Sequence, residues 1–287
     1  MKHTLFLLSC FLYFACSESE TSQTRQTSVA RNTFEQQAAS TFNDSASLGR
    51  IRSFLNAQFG ERYELRGAYE AERTQLNFSP IWITETFPKD LPLHRFDRAE
   101  PLGFIGEDKQ RLFMHFTDVQ LRPDHPLHYR LVGKSMVKNN ICDFSGELVI
   151  TGAREFALPY QEGIDYVVDP REVRYGVLTG TYHLFEDSTQ RHVGEFKGTF
   201  VSTFMLREKG KPLYGLAKKF SDSYCNHQFM GTWSPYGGEN KKPAHWGDYR
   251  IPEAGDLDIG AGEFSPNPEY ASRGWDTFRE AIGAWWE

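Results

Sequence analysis

Aromatic and polar side chains that could bind a sugar are concentrated in one stretch of this 287-residue chain. A flat apolar ring face beside hydrogen-bonding groups suits a carbohydrate, and tyrosine and tryptophan carry a polar group on the ring itself. The candidate ligand-binding residues are Trp233, Tyr236, Trp246, Asp248, Tyr249 and Arg250. Aromatic residues make up 15% of the chain and also dominate protein cores, so core packing is the competing interpretation.

The glycine-rich stretch that follows contains carboxylates that could hold a cation. Asp256, Asp258 and Glu263 offer the hard oxygen ligands that calcium prefers, but their spacing does not match an EF-hand loop. We therefore expect no metal here, and we expect the two aspartates to accept hydrogen bonds from turn amides. His245 could join Asp248 as an acid/base pair, although a histidine beside tryptophan is more often simply packed.

The signatures of common enzyme classes are absent from the sequence. The chain has no Gly-X-Ser-X-Gly elbow, no His-Glu-X-X-His, no phosphate loop and no dinucleotide fingerprint. We therefore expect a binding or structural protein without a cofactor, and we assign no catalytic residue. The alternative is a carbohydrate-active, glycosidase-like enzyme, because such enzymes need only two carboxylates that can come from anywhere in the chain. A second alternative is a carrier of an apolar small molecule, which would need a hollow barrel.

Two cysteines, Cys142 and Cys225, lie in the part of the chain that we expect to fold. In an oxidising compartment an even pair of cysteines can form a disulfide bond. Two buried free thiols are the alternative, because free cysteine is among the most buried residue types.

The N-terminus has the pattern of an export signal. Met1 to His3 precede an apolar run over residues 5–15, which is too short to cross a hydrocarbon layer of about 30 Å as a helix. The alanine before Cys16 and the polar residues after it resemble the lipobox of bacterial lipoprotein precursors. Tyr13 departs from that pattern, which prefers leucine. The residues before Cys10 match the lipobox better than those before Cys16, but lipidation at Cys10 would leave a shorter apolar region in the signal peptide.

The lipobox resemblance implies a processed and anchored protein. Residues 1–15 would be removed as a signal peptide, Cys16 would carry acyl chains such as palmitate, and the protein would sit at the outer membrane, on its periplasmic or surface face. An ordinary cleaved signal with an incidental cysteine is the alternative. Residues 16–44 are rich in Ser, Thr, Gln, Asn and Ala without apolar periodicity, which predicts a flexible tether.

Residues 45–287 have a length and composition that suit a single β-rich domain. A net charge of −6 gives no basic footprint, so we expect no nucleic-acid partner. The expected partners are the membrane, through the lipid anchor, and carbohydrate or another envelope protein.

One amphipathic helix is predicted at the start of this domain. Ser45 can cap it, Gly60 can end it, and one face carries Leu48, Ile51, Leu55 and Phe59. The periodicity then changes to two, which predicts strands over residues 76–86, 111–121, 129–137, 146–151, 173–185, 193–206 and 228–233. The clearest hairpin candidate comprises residues 177–182 and residues 195–200. Residues 234–275 are predicted to form an irregular segment that folds over the domain, and residues 275–286 a short helix.

A Gly-Thr-aromatic triplet recurs in the predicted strands, at Gly180, Gly198 and Gly231. Glycine inside a strand marks a bend or close packing by an aromatic neighbour, as a strongly curved sheet requires. We therefore predict an all-β fold, an antiparallel meander that forms a barrel or a sandwich. The third triplet, Gly231-Thr232-Trp233, resembles the Gly-X-Trp motif of the calycin and lipocalin group. That group has the motif in its first strand, whereas here it lies late in the chain. The segments from His245 and Gly255 onward resemble the tails of uncharacterised secreted lipoproteins of Gram-negative bacteria.

Overall fold

The computed structural model describes residues 45–68, 76–83, 100–158, 168–169, 171–207, 210–217, 222–278 and 283–287, all within one compact unit, Phe42–Glu287. The signal sequence, Cys16 and the tether lie outside the described residues. Antiparallel strands predominate, which confirms the all-β fold class. Across these ranges, no helix is long and apolar enough to cross a membrane.

The described residues contain two α-helices and ten strands. The helices are α1 (Ser45–Phe59) and α2 (Ser79–Ile83). The strands are β1 (Glu64–Ala68), β2 (Leu102–Ile105), β3 (Gln110–Leu121), β4 (His128–Val137), β5 (Asn140–Ala157), β6 (Arg174–Glu186), β7 (Gly194–Leu206), β8 (Leu213–Tyr214), β9 (Asn226–Pro235) and β10 (Lys242–Asp248). Strands β3, β4, β6, β7 and β9 agree with the predicted segments, and the segment at 146–151 lies inside the longer β5.

Eight of the strands form a closed ring. The order runs β5-β4-β3-β2-β10-β9-β7-β6, every neighbouring pair is antiparallel, and β6 pairs back with β5. Strand β1 pairs with the end of β5, and β8 pairs with β7 outside this path. Because successive side chains of a strand point to opposite faces, each strand of the ring has an inner and an outer face.

Aromatic side chains fill the interior of the ring. These buried side chains include Trp82, Tyr129, Tyr182, Phe200, Phe204, Phe229 and Trp246. Trp82 comes from α2, which contributes Ile81 to the same core. Each fully buried large apolar side chain stabilises the fold by roughly 1.5–3 kcal/mol relative to an exposed one.

Helix α2 corrects the predicted strand at residues 76–86. The Asn77 side chain accepts a hydrogen bond from the Ser79 N–H at 2.9 Å, and Pro80 follows. A proline has no N–H for a strand ladder, but it suits the first turn of a helix. The local sequence therefore starts a helix where its apolar alternation had predicted a strand.

The outer face of the ring is covered on two sides. Helix α1 packs Ile51, Leu55 and Phe59 against the outward residues of β5, β6 and β7, which confirms the predicted helix and its apolar face. On the other side, Phe104 of β2 packs with Leu257, Phe264 and Trp275 of the C-terminal segment, which folds over the ring as predicted.

Residues 234–275 are more regular than predicted. Residues Lys242–Asp248 form β10, which completes the ring between β2 and β9, so the prediction of an irregular segment is wrong there. Short 3-10 helices follow at Gly255–Leu257 and Pro268–Arg273. The second of these lies just before residues 275–286, where a helix was predicted. Within that predicted helix, residues 275–278 and 285–286 form turns. Residues 279–282 lie outside the described residues.

The predicted hairpin and the role of its glycines are confirmed. Strands β6 and β7 pair with Gly180 opposite Phe200 and Tyr182 opposite Gly198. A Cβ atom at Gly180 would lie 2.3 Å from the Phe200 ring and 2.1 Å from the Val149 carbonyl oxygen. Glycine is therefore required at position 180 so that an aromatic ring and a neighbouring strand can approach the backbone.

Candidate ligand-binding cavity

A cavity of about 830 Å³ lies at the end of the ring where four strand connections meet. Because neighbouring strands run antiparallel, the turns β2–β3, β4–β5, β6–β7 and β9–β10 all lie at this end. Its volume is in the range of small-molecule sites. The lining residues include Ile105, Glu107, Asp108, Gln110, Ser135, Val137, Lys138, Asn140, Glu186, His192, Phe196, Trp233 and Lys242.

Glu186 is the carboxylate in the wall of the cavity that is most deeply enclosed, with 6% of the residue exposed. Its Oε1 accepts a hydrogen bond from the Ser135 hydroxyl at 2.5 Å. Its Oε2 accepts from the Gly194 N–H at 2.8 Å and from the Trp233 indole N–H at 2.9 Å. One side chain of β6 thus connects β4, β7 and β9 at the cavity end of the ring.

Burial raises the pKa of Glu186 above its ordinary value of 4.5, and the hydrogen bonds from Ser135, Trp233 and Gly194 oppose that shift. All three donors favour the charged carboxylate, whereas removal from water favours the protonated form. The raised pKa means that burial is the larger effect, so Glu186 takes up a proton at a higher pH than an exposed glutamate would.

Lysines and a histidine face the same cavity. Lys242 holds its ammonium 5.5 Å from the centre of the Trp233 ring. Lys138 and His192 stand on two turns at the rim, and both are exposed. Of the acidic groups at the rim, Asp108 pairs with Arg273 at 3.0 Å.

The backbone at two of these rim residues is unusual for residues that carry a Cβ. Lys138 has φ of 57° and His192 has φ of 55°. Left-handed backbone favours glycine and is energetically unfavourable for other residues, and such conformations cluster at functional sites. Both positions therefore carry a charged or titratable side chain, lysine or histidine, on a backbone conformation that glycine adopts more easily.

Two of the predicted ligand-binding residues lie at this end of the ring. Trp233 lines the cavity and is partly buried. Tyr236, on the β9–β10 turn, donates a hydrogen bond from its hydroxyl to the Glu186 backbone carbonyl at 2.5 Å. The structure therefore brings Trp233 and Tyr236 together with Glu186, a residue that the sequence did not single out.

Trp246 and Asp248, which the sequence also placed in a sugar site, lie inside the ring. Trp246 is 1% exposed, and its ring stacks on Phe229 with centroids 4.9 Å apart. Asp248 is fully buried and accepts a hydrogen bond from the Tyr214 hydroxyl at 2.6 Å. Neither side chain is accessible to a ligand in this structure, so the expectation of a platform that includes them is wrong.

Tyr249 and Arg250 make contacts within the protein instead. Tyr249 packs against Tyr224 with ring centroids 5.1 Å apart. Arg250 forms an ion pair with Asp258 at 2.7 Å and donates to the backbone carbonyl of Gly262 at 2.5 Å. The guanidinium thereby holds the glycine-rich loop between Asp258 and Gly262 in place.

The carboxylates of that loop are engaged in protein contacts. Asp258 Oδ1 accepts hydrogen bonds from the backbone N–H groups of Gly260 and Ser265, at 3.0 and 3.1 Å. Asp256 accepts from the Tyr270 hydroxyl at 2.9 Å. Within the described ranges, no group of three or more His, Cys, Asp or Glu residues could hold a metal ion, and this includes the set with Glu263.

His245 and Asp248 do not form an acid/base pair. The His245 ring stacks on Phe104 with centroids 5.1 Å apart, and its Nδ1 lies 3.2 Å from the Pro252 carbonyl oxygen. Burial lowers the pKa of His245 below its ordinary value. The side chain therefore belongs to the packing between β2 and the C-terminal segment.

The two cysteines are free and are not bonded to each other, so the disulfide alternative is not realised in this structure. Cys142 contacts the Asn140 amide and the Arg191 carbonyl, whereas Cys225 contacts Gln58 of α1. Burial raises the pKa of Cys142 to about 11 and that of Cys225 to about 12. Both groups are thiols rather than thiolates near neutral pH.

A second polar cluster that the sequence did not predict lies in the core beneath α2. His227 Nδ1 lies 2.9 Å from the Ser202 hydroxyl, and Nε2 lies 2.7 Å from the Ile81 carbonyl oxygen and 4.0 Å from Asp248. Ser202, His227 and Asp248 resemble a nucleophile, a base and an orienting acid in type only. Each is at most 1% exposed, so a substrate cannot reach the cluster in this structure. Its contact with the Ile81 carbonyl connects α2 to the ring.

No protein-family model, no curated protein and no solved structure matches this chain.

Proposed function

We propose that the protein is a lipid-anchored binding protein of the cell envelope that holds a hydroxyl-bearing ligand, of carbohydrate type, in the cavity at the turn end of the ring. The single observation that carries this proposal is the cavity itself, about 830 Å³ in volume and lined by polar side chains around Trp233. The lipid anchor rests on the lipobox-like sequence at Cys16.

The chemistry of the lining suits a sugar. Trp233 supplies a ring face, while Gln110 and Asn140 keep amide oxygens that can accept hydrogen bonds, although their NH₂ groups already donate to the Arg273 and Arg191 carbonyls. The Trp233 ring is held in place because its N–H is bound to Glu186. A fixed ring binds with little loss of side-chain freedom, which favours affinity.

A carbohydrate-active enzyme is a second candidate for the same cavity. Glu186, Glu107 and Asp108 all line it, and glycoside hydrolysis needs an acid with a raised pKa and a second carboxylate. Burial does raise the pKa of Glu186. Against this candidate, both Glu186 oxygens already accept hydrogen bonds, and Asp108 is paired with Arg273. A carrier of apolar molecules would need interior space that aromatic side chains occupy.

A glycan array tests the binding function, using the full mature chain purified in detergent. Wild type is compared with Trp233→Leu and with the control Trp286→Leu. Trp286 is also a partly exposed tryptophan, but it stacks on His115 away from the cavity. We expect glycan binding that weakens about tenfold or more in Trp233→Leu, corresponding to ~1.4 kcal/mol, and that persists in Trp286→Leu.

Thermal unfolding of all three proteins shows whether lost binding follows from lost folding. Equal binding by both variants, or the absence of any bound glycan with wild type, would contradict the proposal. Release of reducing sugar by wild type, abolished in Glu186→Gln, would establish the enzyme instead.

A further inference from the structure

We infer that the ligand of the cavity carries a negative charge, and that Lys138 and Lys242 bind it. This inference rests on the proposed function, since it concerns the chemistry of the ligand in the same cavity. The class of ligand that fits is an acidic saccharide, with a carboxylate beside an apolar sugar face.

The first argument is the balance of unpaired charge at the cavity. Within the described part of the chain, neither Lys138 nor Lys242 forms an ion pair, whereas the Asp108 carboxylate is neutralised by Arg273. Glu186 is enclosed and its oxygens accept hydrogen bonds from within the protein, whereas Lys138 and Lys242 are exposed at the rim. Glu107 is the one other acidic group in the cavity lining, and it is exposed to water like the two lysines.

The second argument is the placement of Lys242. Its ammonium lies 5.5 Å from the centre of the Trp233 ring, so a cation and an aromatic face border the same space. A sugar that packs on the ring would bring a ring substituent within reach of that ammonium. A carboxylate substituent gains a charge-assisted hydrogen bond there, whereas a hydroxyl gains only a neutral acceptor contact.

The third argument is the backbone of Lys138. Residues 138–139 form the tight turn between Val137 and Asn140, and Lys138 occupies its left-handed position with φ of 57°. Glycine or asparagine is preferred at such a position. The structure thus places a cation at the cavity rim, at a position that glycine would occupy with less backbone strain.

Lys138→Gly separates binding from folding, because removal of the side chain also removes the unfavourable backbone contact. Lys109→Gly is the matched control. Lys109 has φ of 54° on the neighbouring β2–β3 turn, but its ammonium lies over the outward Phe104 ring, 3.8 Å from the centroid. A third variant, Lys242→Met, keeps most of the aliphatic stem and removes only the charge.

The probes are glucuronate-containing oligosaccharides and the corresponding glucose oligosaccharides, titrated against the full mature chain in detergent. We expect wild type to bind the acidic sugars more tightly. We expect Lys138→Gly and Lys242→Met each to weaken that binding about fivefold, as for loss of one partly screened ion pair, while Lys109→Gly has no effect. The unfolding temperature of Lys138→Gly should equal or exceed that of wild type. Added salt should weaken the binding of the acidic sugars and leave that of the neutral sugars unchanged.

The outcomes distinguish this inference from the proposed function. Binding of both sugar classes with equal affinity, lost in Trp233→Leu but unchanged in Lys138→Gly and Lys242→Met, would overturn the inference and leave the proposed function standing. Absence of any binding that depends on Trp233 would overturn both. Equal weakening by Lys138→Gly and Lys109→Gly would attribute the effect to the turns and would also overturn the inference.

Discussion

Glu186 is the residue on which the cavity end of the ring most depends. It accepts hydrogen bonds from three donors that belong to Ser135, Gly194 and Trp233. Removal of a buried acceptor leaves its donors without partners, and each unsatisfied donor costs roughly 1–3 kcal/mol. Water that enters the vacated space would recover part of that cost.

We expect Glu186→Ala to lower the free energy of unfolding by about 3 kcal/mol. Glu186→Gln should cost less, because its amide oxygen can accept from Gly194 and Trp233 while its NH₂ group donates to the Ser135 hydroxyl. Urea unfolding of the three proteins measures the difference. Equal stability of Glu186→Ala and wild type would show that these hydrogen bonds do not contribute.

The raised pKa of Glu186 predicts a pH dependence of stability. The folded state binds the proton more tightly than the unfolded chain, in which the pKa is near 4.5. This contribution is therefore fully present below 4.5 and is lost as the pH rises through the folded-state pKa. The free energy of unfolding of wild type should thus rise relative to that of Glu186→Gln as the pH falls from about 7 toward 4.5. A change in the opposite direction would mean that the pKa is lowered.

The sequence predicted some residues of the cavity and not others for a geometric reason. Alternation along a strand predicts which side chains point into the ring, but it does not predict how far along the ring axis they lie. Trp233 and Trp246 both point inward on paired strands; Trp233 is opposite Lys242 at the open end, and Trp246 is opposite Phe229 in the core. The alternation in β6 shows that Glu186 points to the same inner face as Tyr182 and Leu184. Its hydrogen-bond partners could not be predicted, because they come from three other strands.

At the level of elements, α1 illustrates what local periodicity can predict. Its apolar residues recur with the helical period, and Gly60 ends it with φ of 60°. Helix α2 and strand β10 were not predicted. A five-residue helix is too short to show a period, and Pro243 and Gly247 in β10 obscure its alternation. Strand β10 is defined by its pairing with β2 and β9, whereas α2 starts at the local Asn77 and Pro80 signals and packs its apolar side chains into the surrounding core.

Leu55 is the residue through which α1 contributes most clearly to stability. It is fully buried between the helix and the outer face of the ring. We expect Leu55→Ala to lower the free energy of unfolding by about 3 kcal/mol, within the range of about 2–5 for such truncations. The control Arg52→Ala alters an exposed residue of the same helix and should change stability by less than about 0.5 kcal/mol. Similar losses in both variants would contradict the assignment of the effect to packing, because alanine is the best helix former and neither change lowers helix propensity.

At the level of the whole molecule, the all-β class followed from the strand pattern, whereas closure of the ring depends on pairings between distant segments. Strand β2 meets β10 across a long stretch of sequence. Such pairings leave no local signal, so a barrel and a sandwich could not be distinguished from the sequence.

The anchor is tested by Cys16→Ala, with Cys10→Ala as the matched control. We expect Cys16→Ala to lose the mass of the acyl chains and to leave the membrane fraction, because two or more acyl chains are needed for stable anchoring. Cys10→Ala should keep both properties, since residue 10 would be removed with the signal. Mass spectrometry and membrane fractionation provide the measurements. Loss of acylation in Cys10→Ala alone would move the lipidation site to residue 10.

The distribution of tryptophans means that intrinsic fluorescence can report on the cavity. Trp82, Trp246 and Trp275 are at most 3% exposed, whereas Trp233, Trp285 and Trp286 are partly exposed, and of these three Trp233 forms part of the cavity wall beside the Lys242 ammonium. Emission from the enclosed indoles should be shifted to the blue and shielded from quenchers. Iodide, as an anion, should collect near Lys242 and quench Trp233 more strongly than a neutral quencher such as acrylamide does. Occupancy of the cavity could therefore be followed by fluorescence without a label.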